Sequence, residues 1–331
     1  MTRSGMFRRI APRCAAAPWI ALALLAGCGT PMMPGGISNS PPSGNTPPSN
    51  AGGTAGSNNT AMIGAIEQLM LERINRARLR PGLEASQNGI AIDEGIPGML
   101  DASPRPPVAY NAMLAIGARR HADDMLANDY FAHVNLVGQT PFDRMRDAGY
   151  TFAAAGENLA WRGTTGQLDE VSTAENMHVD LFVDAGIADR GHRVVMLNPA
   201  FREVGPSVRN GPFTEIENGI ATVYNSLMEV QDYAMAANSA ELFVLGVVYD
   251  DRNNNGQYDF SEGIANSTVT LGSLTVTTAS AGGYTFKVLP GTYTLGFQSG
   301  KTRDLSVTDQ NIKVDLVNGT RIDVNLGLGE F

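Results

Sequence analysis

Apolar positions recur at helical spacing in the middle of the chain and at strand spacing near its end. Ile63, Ile66, Met70 and Ile74 repeat every three or four residues with Leu71 beside them, which predicts an amphipathic helix over residues 62–79, ending before Pro81-Gly82. Residues 84–107 carry Pro97, Pro104, Pro106 and Pro107 and read as a loop. The stripe Leu114, Ala118, His121 and Met125 predicts a second helix from Tyr110 to Asn128. Further helices are expected over about Thr140 to Ala148 and Ala174 to Val183, and strands over Phe201–Val208 and Gly219–Ser226. This part therefore mixes helices and strands. From Glu241 the runs shorten and gain Val, Thr, Tyr and Leu between Gly and Asn. Seven strands are predicted: Leu242–Tyr249, Ser267–Leu271, Thr275–Thr278, Tyr284–Leu289, Thr292–Gln298, Ile312–Leu316 and Arg321–Leu326. That pattern indicates an all-β sandwich, with the boundary in the Ala, Asn and Ser of residues 236–240.

The first residues have a different character. Arg3, Arg8, Arg9 and Arg13 precede the apolar stretch Ala15 to Ala26, which has signal-peptide length and is too short to span a membrane. It runs into Leu25-Ala26-Gly27-Cys28, which resembles the lipobox of bacterial lipoproteins. The resemblance implies cleavage of residues 1–27 and diacylglyceryl attachment to the Cys28 thiol. Gly29 after the cysteine implies sorting to the outer membrane. Residues 28–60 contain no charged side chain and are dominated by Pro, Gly, Ser, Asn and Thr, so they read as a flexible tether with a reach on the order of 30 Å.

Processing alters the charge. The chain of 331 residues carries a net −9, and loss of the four leader arginines takes it to −13. Such an acidic protein is a poor partner for nucleic acid or anionic lipid. Of its two cysteines, Cys14 leaves with the leader and Cys28 is acylated, so no disulfide is expected and stability rests on burial. The remaining length suffices for two domains, predicted over residues 61–238 and 239–331. The fold class expected is α+β followed by all-β.

Three residues in the first domain have the chemistry of a site. His133 follows a helix end, Glu157 lies in a Gly-led turn, and His192 precedes the apolar Val194–Leu197. Imidazoles and a carboxylate bind zinc or do acid–base work, but their spacing matches no local metal motif. From the residues alone, a purely structural role stands beside a functional one.

Taken together, Ile74-Asn75-x-Ala77-Arg78, His121-Ala122-x-Asp124-Met125, Phe131-Ala132-His133, Gly156-Glu157-Asn158-Leu159-Ala160, Gly191-His192-Arg193 and Val230-Gln231-Asp232-Tyr233 resemble the bacterial form of the CAP superfamily, the cysteine-rich secretory, antigen 5 and pathogenesis-related proteins. The resemblance covers about residues 62–235. It implies an α-β-α sandwich with His133, Glu157 and His192 lining a cleft. The fourth cavity acid common in the family has two candidates here, Asp184 and Asp180, while His121 reads as a packed helix residue. Two histidines and one or two carboxylates are a donor set for zinc or another divalent metal, and metal-assisted hydrolysis would follow from it. No Ser or Cys nucleophile accompanies the motifs, and the family is known more for binding lipids, sterols or partner proteins. The resemblance thus favours binding of a lipid, sterol, peptide or protein ligand, with a metal-dependent hydrolase or a purely adhesive protein as alternatives.

In the second domain, Asp251, Asn253, Asn255, Gln257, Asp259 and Glu262 fall at the ligand positions of a twelve-residue calcium loop, with Gly256 at its turn. A strand precedes the loop where an EF-hand has a helix. The stretch from Val247 to Gly263, with Gly283-Tyr284-x-Phe286 and Leu289-Pro290-Gly291-Thr292-Tyr293, resembles the calcium-binding B repeats of bacterial adhesins. That implies an immunoglobulin- or prealbumin-like sandwich stabilised by calcium.

Overall fold

The computed structural model describes residues 64–237 and 239–325, together with the backbone of residues 20–22. Cys28 and the 28–60 tether lie outside the described residues. Ile20–Leu22, within the predicted export segment, forms β1 and pairs antiparallel with Gly156–Ala154.

Helix α1 spans Ala65–Leu79 and buries Leu69, Met70, Ile74 and Ala77. Arg76 and Arg78 sit in its last turn, where cations favour the helix dipole. The predicted loop starts later than expected, and residues 88–108 carry no helix or strand. Pro81 occupies the first position of a short helix, α2 (Pro81–Gln87), where its missing N–H is no loss. Strand β2 (Ala109–Tyr110) then leads into α3 (Ala112–Asn128), capped by Asn111, whose side chain accepts from the N–H groups of Met113 and Leu114. Helix α4 (Pro141–Asp147) opens on a capping box between Thr140 and Asp143. Helix α5 (Glu170–Val183) begins four residues earlier than its apolar period suggests, because Asp169 caps it.

Three long strands carry the first domain: β3 (Phe152–Thr164), β4 (Glu203–Glu217) and β5 (Ile220–Ala236). The sheet order is β1-β3-β5-β4-β2, antiparallel except for the β2–β4 pair. The long β4–β5 hairpin closes on Asn218-Gly219, both at positive φ, the conformation a two-residue hairpin turn of this hand requires. Periodicity gives no sign of β3, because its Ala- and Gly-rich middle is buried without period-two alternation.

Side chains alternate across β5 and divide the core in two. Met228 and Val230 pack under α3 with Leu159 and Phe213, whereas Leu227 and Tyr233 face α1, α5 and the short α6 (Gly191–Met196). The result is an α-β-α sandwich. Helix α3 lies close to β4: a Cβ added to Gly205 would fall 2.1 Å from the backbone nitrogen of Ala115.

The second part has two four-stranded sheets, β11-β10-β7-β8 and β13-β12-β6-β9. Its strands are β6 (Leu242–Tyr249), β7 (Thr268–Leu271), β8 (Leu274–Thr277), β9 (Gly283–Val288), β10 (Gly291–Phe297), β11 (Thr302–Val307), β12 (Ile312–Val317) and β13 (Arg321–Val324). Seven lie at or near the expected positions, and β11 is additional. Its solvent-facing residues hide the pattern, since only Leu305 and Val307 turn inward.

Strand β6 explains its own uninterrupted apolar run. Leu242, Val244 and Val248 enter the β-sandwich core, while Phe243, Leu245, Val247 and Tyr249 enter clusters shared with the first domain. Strand β12 repeats this alternation. Val314 and Leu316 point into the sandwich, while buried Lys313 meets Glu72 of α1 at 2.8 Å and also pairs with Asp315. Asn311 donates to the carbonyls of Pro107 and Arg202 at 2.9 and 2.8 Å. The β-sandwich is packed against the helical layer through a common core.

Candidate functional site

The site residues are placed by the ends of elements. Asp129 and Asp184 close α3 and α5 in left-handed conformation, with φ of 50° and 55°. An aspartate tolerates that region better than most residues. The first stop releases the segment that carries His133, and the second aims Asp184 at α6.

Two separate histidine–carboxylate pairs result. Nδ1 of His133 donates to Oε1 of Glu157 at 2.8 Å. Nδ1 of His192 donates to Oδ1 of Asp184 at 2.7 Å, and the His192 backbone N–H reaches the other oxygen at 2.8 Å. Both carboxylates are buried, whereas the imidazoles keep 13% and 14% of their side-chain surface. Each ring therefore turns its Nε2 away from its carboxylate. Of the two candidates for the fourth acid, Asp184 stands at the histidine. Asp180 instead pairs on the surface with Arg162 at 2.6 and 2.8 Å.

Strand β3 holds both units. Glu157 fixes His133, and the next residue, Asn158, donates its side-chain amide to the His192 carbonyl at 3.0 Å. Among the described residues no three of His, Cys, Asp or Glu converge on a point that could hold a metal. The oxygens of Glu157 and Asp184 are occupied by their own partners. Two imidazoles with their acids behind them do not make a closed zinc site.

Several residues that the sequence motifs leave without a role complete this arrangement. Arg144 of α4 donates to Oε2 of Glu157 at 2.6 Å and to the His133 carbonyl at 2.9 Å. Burial works to raise the Glu157 carboxyl, but the His133 hydrogen bond and the Arg144 charge hold it below the usual range. Asp232 of β5 lies directly across from Glu157 in register, and burial with the Glu157 charge pushes its carboxyl well up. Arg193 is buried and donates to the carbonyls of Phe182, Ile92, Glu94 and Val183, which ties α6 to the end of α5 beside Asp184. Arg78 does the same elsewhere, bonding the carbonyls of Pro106, Met196, Asn198 and Phe201. His121 is a buried helix residue with Nε2 2.9 Å from the Ala132 carbonyl, and burial pushes its pKa down to about 4. Asp232 and the two arginines lie in quoted motifs. Arg144 carries no sequence signal beyond its place on a short helix.

The acidic loop of the second domain folds back on its own N–H groups. Asp251 accepts from Asn255 and Gly256 at 3.0 and 2.9 Å, Asn253 from Asn255 at 3.1 Å, and Asn255 from Gln257 at 2.8 Å. Glu262 closes the ring by accepting from Arg252 and Asp259 at 2.9 and 3.0 Å. The side-chain amides of Asn253 and Asn255 both donate to Asp259. These contacts order the loop, with Gly256 at φ 76° making the turn, but its acids do not converge on a point that could hold a metal. The loop also meets α1, through Arg76 with Gln257 and through Arg73 with Asp259 at 3.8 Å.

The family described as CAP, cysteine-rich secretory protein family, matches residues 71–215. The Bacillus subtilis (strain 168) protein YkwD is 30% identical over 143 residues, 43% of this chain and 42% of that protein. The chain spans less than half the length of the curated relatives it matches. Among solved structures, an extracellular protein containing an SCP domain from Bacillus anthracis str. Ames is 22% identical with a TM-score of 0.27, covering 39% of this chain and 34% of that one. An outer surface protein of Borrelia burgdorferi is 14% identical with a TM-score of 0.30, covering 52% and 92%. No described helix is long and apolar enough to cross a membrane.

Proposed function

We propose, from the CAP domain of residues 71–215 as premise, that this is an exported protein of the cell envelope whose domain binds a ligand or a divalent cation through His133 and His192. The supporting observation is that each imidazole is oriented by a buried carboxylate through Nδ1 and keeps 13% or 14% of its surface exposed. Orienting acids behind a pair of partly exposed imidazoles are what a site for metal ions or ligand N–H and O–H groups needs. Glu157 and Asp184 act as positioning residues.

In this reading Cys28 carries the lipid, residues 28–60 set the distance from the outer membrane, and the β-sandwich is a calcium-stabilised module. In this reading the chain binds and holds a ligand.

Equilibrium dialysis of the full chain with zinc tests the cleft. Zinc retained by the wild type and lost in both His133→Ala and His192→Ala is expected, with no loss in His121→Ala. Retention unaffected by either substitution would remove the imidazoles from the site. Palmitate labelling lost in Cys28→Ser is the corresponding test of the anchor.

A further inference from the structure

The two edges of the β4–β5 hairpin are set by the turn that closes it. Glu217 and Ile220 flank the two-residue turn Asn218-Gly219 and so form a hydrogen-bonded pair. Main-chain groups of alternate residues therefore point outward: those of Thr214 and Ile216 from β4, and those of Ala221 and Val223 from β5. The Thr214 N–H bears this out, donating away from β5 to Oδ1 of Asp129 at 2.6 Å.

The β4 edge is guarded along its length. Strand β2 covers Glu203 and Val204. Pro206 and Pro212 stand at outward positions and have no N–H to offer, the Val208 N–H reaches Glu67 at 3.5 Å, and Asp129 caps Thr214. The β5 edge is different. Strand β3 covers it only as far as Asn225, opposite Thr164, where the Asn225 side-chain amide closes on the Gly166 carbonyl at 2.8 Å. Among the described residues no strand lies along Ile220–Tyr224 on that side. The segment Ile220-Ala221-Thr222-Val223-Tyr224 has neither a proline nor a charge, the devices that keep an edge from pairing. Ile216, Ile220 and Val223 are 72%, 69% and 60% exposed at the same tip.

This segment is complementary to itself. Turned antiparallel about Thr222, it sets Ala221 against Val223 of a second copy, so that their outward N–H and C=O groups satisfy one another. Ile220 then faces Tyr224, a β-branched residue against an aromatic one, and Thr222 faces its own copy; both are favourable cross-strand pairs. Ile216 neighbours Ala221 on one face, so Ile216, Ala221 and Val223 of both copies join in a continuous apolar strip. Charge does not oppose the contact. Glu215 lies on β4, and the two copies of it would stand three strand spacings apart, about 14 Å, beyond a Debye length of roughly 8 Å.

We propose that a second copy of this chain occupies the β5 edge, pairing antiparallel about Thr222 and joining the two hairpins into one sheet.

Disulfide trapping in the full chain tests it, with Cys14→Ser and Cys28→Ser removing the native thiols. Thr222→Cys puts one thiol from each copy at a non-hydrogen-bonded pair, with Cα atoms about 4.5 Å apart and within disulfide reach. Mild oxidation should convert most of the Thr222→Cys chain to dimer. Thr214→Cys, on the guarded strand, should give less than about a tenth as much. Adding Val223→Lys should lower the Thr222→Cys yield about tenfold with Tm unchanged, because it charges the edge at an exposed position. A Thr222→Cys chain that stays monomeric, a Thr214→Cys chain that links as readily, or linking that Val223→Lys leaves intact overturns the proposal.

Discussion

Asp184 holds His192 twice, by the ring Nδ1 at 2.7 Å and by the backbone N–H at 2.8 Å. One side chain thus fixes both the imidazole and the first turn of the helix that bears it. Glu157 achieves the same for His133 from the middle of a strand, with Arg144 as a third member. A helix end and a strand converge on one chemical outcome, an imidazole whose Nε2 is left for an outside group.

Removing the orienting acid should therefore weaken binding more than folding. Asp184→Asn keeps an acceptor but loses the charge, and zinc affinity should fall about 10–100-fold. Competition with a chromogenic chelator measures it, with Tm as the folding control. Unchanged affinity would show that Asp184 plays no part behind His192.

The buried strand β5 carries an acid that opposes folding above neutral pH. Burial pushes Glu229 up to about 7, and although Gln231 donates to one oxygen at 2.7 Å the other has no partner. A folded-state value above the ordinary 4.5 means the folded chain holds the proton more tightly, so stability is full below that value and declines as pH rises through about 7. Glu229→Gln should raise stability by roughly 1–3 kcal/mol at about pH 8 and leave it nearly unchanged at about pH 4. Denaturant melts at the two pH values decide it. An equal effect at both would assign the change to packing.

Lys313 is the cation of the interdomain core, set between Glu72 and Asp315. Burial drives both carboxyls upward, and the lysine charge opposes that rise. Lys313→Met should cost about 3–5 kcal/mol at neutral pH, by leaving two buried acids without a counterion. The loss should shrink as pH falls and those acids take up protons. A cost under about 1 kcal/mol at neutral pH would contradict this reading of the interface.

Calcium should raise the stability of the full chain through the loop of residues 251–262. At a concentration a hundred times its Kd the gain is about 2.7 kcal/mol. Glu262→Gln preserves an acceptor for the Arg252 N–H while removing the charge, so it should abolish the gain without unfolding the loop. Calorimetry with calcium and with chelator reads the difference. A wild-type Tm insensitive to both would exclude the site.

Sequence reading went furthest where local rules govern. The α3 stripe, the apolar runs of β6 and β12 and the turn chemistry at Gly256 are all visible in single segments. His133, Glu157 and His192 stand out in the sequence through motifs rather than spacing. What stayed hidden depends on partners distant in sequence. Strand β3 has no alternating pattern because it is buried along its middle. Arg144 acquires its role only when α4 packs against the strand bearing Glu157. The odd-numbered residues of β6 are apolar because residues from earlier in the chain cover them, which no period in the strand itself reveals. Asp184, the favoured candidate in sequence, and Asp180 differ because a left-handed cap turns only the former toward α6.

The central claim is that buried acids hold His133 and His192 with the proton on Nδ1 and Nε2 open to the cleft. Imidazole nitrogen NMR of the full chain at neutral pH tests it directly, before and after addition of zinc. The account predicts the Nδ1–H tautomer for both rings and a zinc-dependent shift at both Nε2 atoms, with His121 and His178 unaffected. An Nε2–H tautomer at either ring, or a zinc response confined to the buried histidines, would contradict it.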